Sequence, residues 1–193
     1  NYPGVQVFGW EARGPALDRI TTNDDEIVSL AVEYLCRAGV KRAVIIWQRN
    51  MVQIPRHPRI ACFLERMNEL GIQAAPMPFD REEPDFSGRM KELISSGDER
   101  IGFFGFNALC GVKLCCALES LGLLRKYSPH SVLVCDKSLL LNGFFPRPAM
   151  IDLNLPAMAE RAVNLLIGRL GKPEYPGILM LQSPRLLLSQ EQL

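Results

Sequence analysis

Four side chains suited to polar recognition stand far apart in this chain: Asn23, Arg59, Asn107 and Asp136. Arg59 carries a planar fork of donors, Asp136 a pair of acceptors, and each asparagine amide does both. A polyol demands that mixture, because vicinal hydroxyls need forked donors and paired acceptors. Each residue also has a plain structural use. Asn23 and Asp24 suit a helix cap, Asn107 and Asp136 suit turns, and Arg59 suits an ion pair. Trp47 stands at the end of an apolar run, where a core position is its ordinary use.

Chemistry of bond-making kinds finds less support. Lys137 follows Asp136 and Cys135 precedes it, which puts an acid, a base and a thiol in a row. No nucleophile elbow, dinucleotide loop or Walker-type phosphate loop accompanies them. The six cysteines form no C-x-x-C pair and only two histidines exist, so ligand pairs for zinc are absent. The acidic stretch Asp80–Asp85 is broken by Pro84 and reads as a solvated loop. The expectation is a non-enzyme with no cofactor and no metal; Cys36, Cys62, Cys110, Cys115 and Cys135 fall inside apolar patterns and would serve as small buried hydrophobes in a reducing compartment.

The elements that would position these groups alternate. An apolar run, residues 101–106, stops at Asn107, and a helix follows at 108–121. A strand at 131–136 ends on Asp136. A strand at 42–47 ends at Trp47, apolar on both faces as in a parallel sheet. A helix begins beside Asn23, with acids in its first turn, and another spans about 58–70 with Arg59 at its start. The run at 72–79 is a strand pushed to an edge by Pro76 and Pro78. Further strands are expected at 4–10 and 149–154 and through 178–189, helices at 87–97 and 156–170, and loops at 48–58, 137–148 and 171–177. Alternation of this kind gives α/β structure with mainly parallel sheets.

Composition narrows the function classes. Twenty-two Lys and Arg face 21 Asp and Glu, so no broad basic surface awaits nucleic acid. No apolar run reaches a membrane span, and the first residues lack a secretory pattern, so a cytoplasmic location is expected.

Six segments in order resemble the effector-binding part of LacI/GalR-type transcription regulators. "ITTNDDEIVSLAVEYLCRAGVKRAVII" is similar to that family's strand, Asp-Asn helix start and next strand. "RIACFLERMNELGI" is similar to R-x-x-G-F-x-x-A-L…G, and "FFGFNALCGVKLCCALESLGL" to N-D-x-x-A-x-G…A-L…G. "SVLVCDKS" resembles S-V-V-G-F-D-D, "FFPRPAMIDLNLPAMAERAVNLL" resembles P-x-L-T-T-V…P…M-G…A…L-L, and "SPRLLLSQ" resembles P-x-L-V-x-R-x-S. Departures include Ala108 for the acid, Val40 for a His, Cys62 and Val134 for glycines, Ala149 and Met150 for the Thr pair, and Ser189 for Arg.

The resemblance implies a two-lobed periplasmic-binding-protein-like fold, each lobe a mainly parallel sheet flanked by helices, with ligand between lobes. It places residues 1–48 and 151–174 in an amino-terminal lobe and 49–150 and 175–193 in a carboxyl-terminal lobe. Crossovers are expected near 48–54, 150–154 and 175. Arg59, Asn107 and Asp136 fall at effector-binding positions, and Asn23 on the amino-terminal side. Either Phe79 or Phe86 would be the aromatic wall, with Trp47 a further candidate. The implied function is a sugar-sensing module, monosaccharide-like in its effector, working as a homodimer. DNA contact would come only through a headpiece, which with the first βα units has no counterpart here. That leaves an incomplete amino-terminal lobe with exposed apolar surface, or one completed in trans. A periplasmic solute-binding protein of a sugar transporter is the alternative.

Overall fold

The computed structural model describes residues 4–7, 17–49, 57–96, 100–171 and 176–189. Two compact units divide the chain. One comprises Asn1–Asn23 and Leu153–Arg185, the other Asp24–Asp152 and Leu186–Leu193.

The larger unit is built on a six-stranded sheet. Its strands are β3 (Arg42–Gln48), β4 (Gln73–Phe79), β5 (Ile101–Gly105), β6 (Val132–Cys135), β7 (Ala149–Asp152) and β9 (Arg185–Leu187), in the order β4-β3-β5-β6-β7-β9. From β4 to β7 every pairing is parallel. Five helices belong to this unit: α1 (Asp24–Arg37), α2 (Pro58–Glu69), α3 (Phe86–Ser95), α4 (Ala108–Ser120) and α5 (Leu124–Ser131). All five residues of β5 are buried, as a strand covered on both faces requires. β4 lies at the edge, where Pro76 and Pro78 take nothing from the ladder to β3.

Helix α4 crosses the sheet at unusually close range. A Cβ on Gly111 would fall 2.7 Å from Val134 Cγ2 and nearer still to Cγ1, and one on Gly105 would fall 3.1 Å from the Gly111 nitrogen. Two missing methyl groups therefore let α4 lie down on β5 and β6. The rest of this core is Val44, Phe103, Cys110, Leu114, Leu118 and their neighbours. Burial of such side chains contributes about 1.5–3 kcal/mol each.

The smaller unit has a three-stranded sheet in the order β1-β2-β8, from β1 (Val5–Val7), β2 (Asp18–Thr22) and β8 (Leu179–Gln182), both pairings parallel. Helix α6 (Leu155–Gly171) packs on β1 and β2. Its buried residues are Met158 and Arg169. Arg169 Nε donates to Asp18 Oδ2 at 2.9 Å, its Nη2 donates to Asp18 Oδ1, and the Ile178 amide reaches Oδ1 at 2.8 Å. The Arg169 hydrogen bonds hold the Asp18 pKa below the usual carboxylate value, against burial. Val163, Ile167, Leu170, Leu179 and Leu181 remain about half exposed.

The lobe boundaries expected from sequence need correction. Residues 24–48 belong with the larger unit, because β3 is hydrogen-bonded between β4 and β5. Residues 176–185 belong with the smaller, because β8 pairs with β2. The expected division near 150–154 falls at 152–153. The expected crossovers at 50–54 and 175, and the expected strand residues 8–10, lie outside the described residues. Helix α5 and the 3-10 turn Leu139–Gly143 are additions to the elements expected from sequence.

Candidate functional site

Strands β3, β5 and β6 are parallel neighbours, so their carboxyl ends lie side by side. Ligands of open α/β sheets sit beyond such ends. Asn107 follows β5 in extended backbone and caps α4: its side-chain oxygen accepts from the Cys110 amide at 3.0 Å. Asp136 follows β6 with φ of 70°, a left-handed conformation that aspartate tolerates better than most residues. The Ala108 amide hydrogen-bonds its carboxylate, which so meets the positive end of α4.

Arg59 enters from the first turn of α2. His57 caps that helix, accepting the Arg59 amide on Nδ1 at 3.2 Å, and Pro58 opens it. The guanidinium then runs to the strand ends. Nε and Nη2 both donate to Asp24 Oδ1, at 3.0 and 2.7 Å. Nη1 donates to the Phe106 carbonyl at 2.8 Å and to Cys135 Sγ at 3.3 Å. The Phe106 ring lies beneath it, 4.7 Å from the guanidinium carbon, and the His57 ring meets Phe106 edge-on at 5.0 Å. Three of the expected groups thus converge: Arg59 on the residue before Asn107, and Asp136 on the residue after it.

The charges of this cluster are unequal. Burial opposes the Arg59 charge, but Cys135, Asp24 and Asp136 together lift its pKa above the ordinary value. Burial chiefly raises the Asp136 pKa, with Arg59 pulling against it. Burial lowers that of His57, with Arg59 adding to it and Asp24 opposing, which favours the neutral ring. Burial pushes the Cys135 thiol up to about 12, and it donates to Asp136 Oδ1 at 3.6 Å. That thiol is a hydrogen-bond donor at neutral pH and a poor nucleophile. Lys137 sits 3.8 Å from Asp152, on another strand. Among the described residues no group of His, Cys, Asp or Glu is placed to hold a metal.

Asp136 carries both a left-handed backbone and a desolvated charge, so it works against stability. Its folded pKa exceeds its unfolded one. The native state then binds more protons between the two values, and stability falls as pH rises through that window. Asp136→Asn keeps an acceptor for the Ala108 amide and abolishes the charge. The variant is expected to melt above the parent at pH 7, the gap closing as pH falls below the ordinary aspartate range. Melting curves at a series of pH values measure this, and a variant that melts lower at pH 7 overturns it.

The other expected site residues divide. Asn23 ends the smaller unit's first segment, where its amide donates to Gln182 O at 3.1 Å. Trp47 is half-buried opposite Pro78 near the end of β3, and its indole nitrogen is buried without a partner among the described residues. Phe79 needs correction: it is 3% exposed, packed on Phe86 at 5.3 Å in the core, and presents no open face. Phe86 is equally buried. The aromatic that meets the Arg59 guanidinium is Phe106, which in the sequence is only the last letter of an apolar run. Asp24 likewise looks there like a helix cap and no more. The α2 helix spacing carries no sign of either partner, since both pairings join segments distant in the chain.

No protein-family model matches the chain, and no curated protein is similar enough in sequence to rank as a relative. Solved structures do resemble it. A LacI family transcriptional regulator from Arthrobacter sp. FB24, in complex with lactose, superposes with a TM-score of 0.80 at 20% identity, over 97% of this chain and 70% of that one. One from Enterococcus faecium, with bound ribose, gives 0.77 at 20%, over 97% and 69%. A periplasmic binding protein/LacI transcriptional regulator from Alkaliphilus metalliredigens QYMF, complexed with D-xylulofuranose, gives 0.76 at 16%, over 97% and 69%. The fold is therefore the periplasmic-binding-protein-like one. About three tenths of each of these neighbours has no counterpart in this chain.

Proposed function

We propose that the chain is the effector-sensing part of a LacI-type transcription regulator and that its effector is a small sugar or sugar derivative. The observation that carries this reading is the meeting of Arg59, from α2, with Phe106, Asn107, Cys135 and Asp136 at two adjacent strand ends. A carboxylate held at a cost to stability, beside an arginine fork and an aromatic ring, suits hydroxyl-rich ligands. The lactose, ribose and xylulofuranose held by similar structures support the same chemical class. Effector binding would act by differential affinity for two states of the protein. We further propose that it does no catalysis, works in the cytoplasm as a homodimer, and reaches DNA only through a headpiece outside these residues. Six free cysteines favour this over the transporter reading.

Titration of the chain with ribose, xylulose, lactose and glucose, followed by calorimetry, tests the proposal. At least one is expected to bind, and Asp136→Asn is expected to weaken it by about 1.5–3 kcal/mol, tenfold or more. A panel without binding, or binding indifferent to Asp136→Asn, removes the assignment.

A further inference from the structure

A cavity in the larger unit, apart from the Asp136 cluster, has the makings of an anion site. Asp136 follows the carboxyl end of β6, whereas Arg147 lies just before the amino end of β7. The two strands are parallel, with Leu133 opposite Ala149 and Cys135 opposite Ile151. Arg147 therefore stands at the opposite end of the sheet from the Asp136 cluster. There, a cavity of about 360 Å³ is bounded by Asn142, Phe144, Phe145, Pro146, Arg147 and Ser189.

Its polar groups are incompletely used. Ser189 is 1% exposed and its hydroxyl is buried without a hydrogen-bond partner among the described residues. The Arg147 Nε–H is also buried and unpartnered, while Nη2 donates to the Leu188 carbonyl at 3.1 Å. That bond fixes the guanidinium and leaves Nε without an acceptor among the described residues. An unpaired buried donor is costly, and two beside one cavity point to an acceptor that comes from outside. Arg147 is the charged residue of the lining, and a second cation, Arg125, lies 5.8 Å from the Phe145 ring. No carboxylate opposes them in the described wall. Ser189 also replaces an arginine of the resembling pattern, which exchanges a long side chain for a short one and a vacant volume.

We propose that this cavity binds a small organic carboxylate. Its two oxygens would accept from Arg147 Nε–H and from the Ser189 hydroxyl, and its apolar body would rest on Phe144, Phe145 and Pro146. The proposal is independent of the sugar reading, since no residue is shared.

Benzoate is the probe, with benzamide as its neutral counterpart, both titrated into the whole chain by ligand-observed NMR and calorimetry. Benzoate is expected to bind at least tenfold more tightly than benzamide. Arg147→Gln and Ser189→Ala are each expected to weaken benzoate at least tenfold. Both should leave the heat of sugar binding and the circular dichroism spectrum unchanged. Because Ser189→Ala removes only one oxygen, it answers the question even if Arg147→Gln fails to fold. Equal affinity for the two probes, no benzoate binding at millimolar concentration, or binding unaffected by Ser189→Ala overturns the proposal.

Discussion

Arg59→Met should lower the stability of the chain by about 3 kcal/mol, the low end for breaking a buried ion pair from one side. The magnitude follows from what the guanidinium holds. Four of its donor contacts go to Asp24, the Phe106 carbonyl and Cys135, joining the start of α1 to the ends of β5 and β6. The side chain is 8% exposed and that of Asp24 26%. Methionine fills similar space without supplying a donor, so the Asp24 carboxylate and a carbonyl lose their partner together. For a chain of this length, a midpoint fall of about 6–12 °C corresponds to that loss, readable by circular dichroism. Asp24→Asn combined with Arg59→Met should cost less than the two separate losses added. A loss under about 1 kcal/mol would mean that the pair behaves as an exposed one and that the cluster does not organise the strand ends.

Gly111→Ala is the second large effect. In an isolated helix this exchange stabilises by about 1 kcal/mol. Here the new methyl would overlap both methyl carbons of Val134, and Val134 is wholly buried in β6 between β5 and β7. Overpacking of this sort costs about 1–3 kcal/mol, and with no room to retreat the upper end applies. Val134→Gly made together with it should restore much of the loss. The two positions should couple by about 2 kcal/mol in a double-mutant cycle followed by urea denaturation. The resembling sequence pattern carries Ala at the helix position and Gly at the strand position. The chain thus departs from it at two residues that touch, one methyl-bearing side chain having changed sides of the same contact. Additive single effects would show that α4 shifts on the sheet to make room.

Much of the fold is legible in the residues alone. The passage from β5 through Asn107 into α4 announces itself, because an apolar run that stops at an amide and resumes with helical spacing puts a strand end and a helix cap at one residue. The edge position of β4 follows from Pro76 and Pro78, which lack the amide hydrogens an inner strand requires. Partnership across long separations is not legible. β3 follows α1 in the chain, but its place beside β5 is a tertiary fact that moves residues 24–48 between units. Helix α5 contains Pro129 and is eight residues long, too short and too interrupted to show a period. At the site, residue types are legible and saturation is not. Arg59 reads as a fork awaiting a ligand, and only its partners reveal how far it is already engaged. Phe79 reads as a free aromatic, although its i, i+2 spacing from Met77 puts both on the buried face of β4.

The engagement of Arg59 has a thermodynamic consequence for any molecule that reaches it. Four of its five N–H donors are already committed to Asp24, Phe106 and Cys135, which leaves one open donor among the described residues; a newcomer must displace a resident for every further bond. The heat released is then the difference between two well-formed sets of contacts and should be small, with displaced solvent supplying the drive. Discrimination follows the same logic: a neutral hydroxyl can take the open donor while the Asp24 carboxylate keeps its place, and a stronger acceptor would have to evict it.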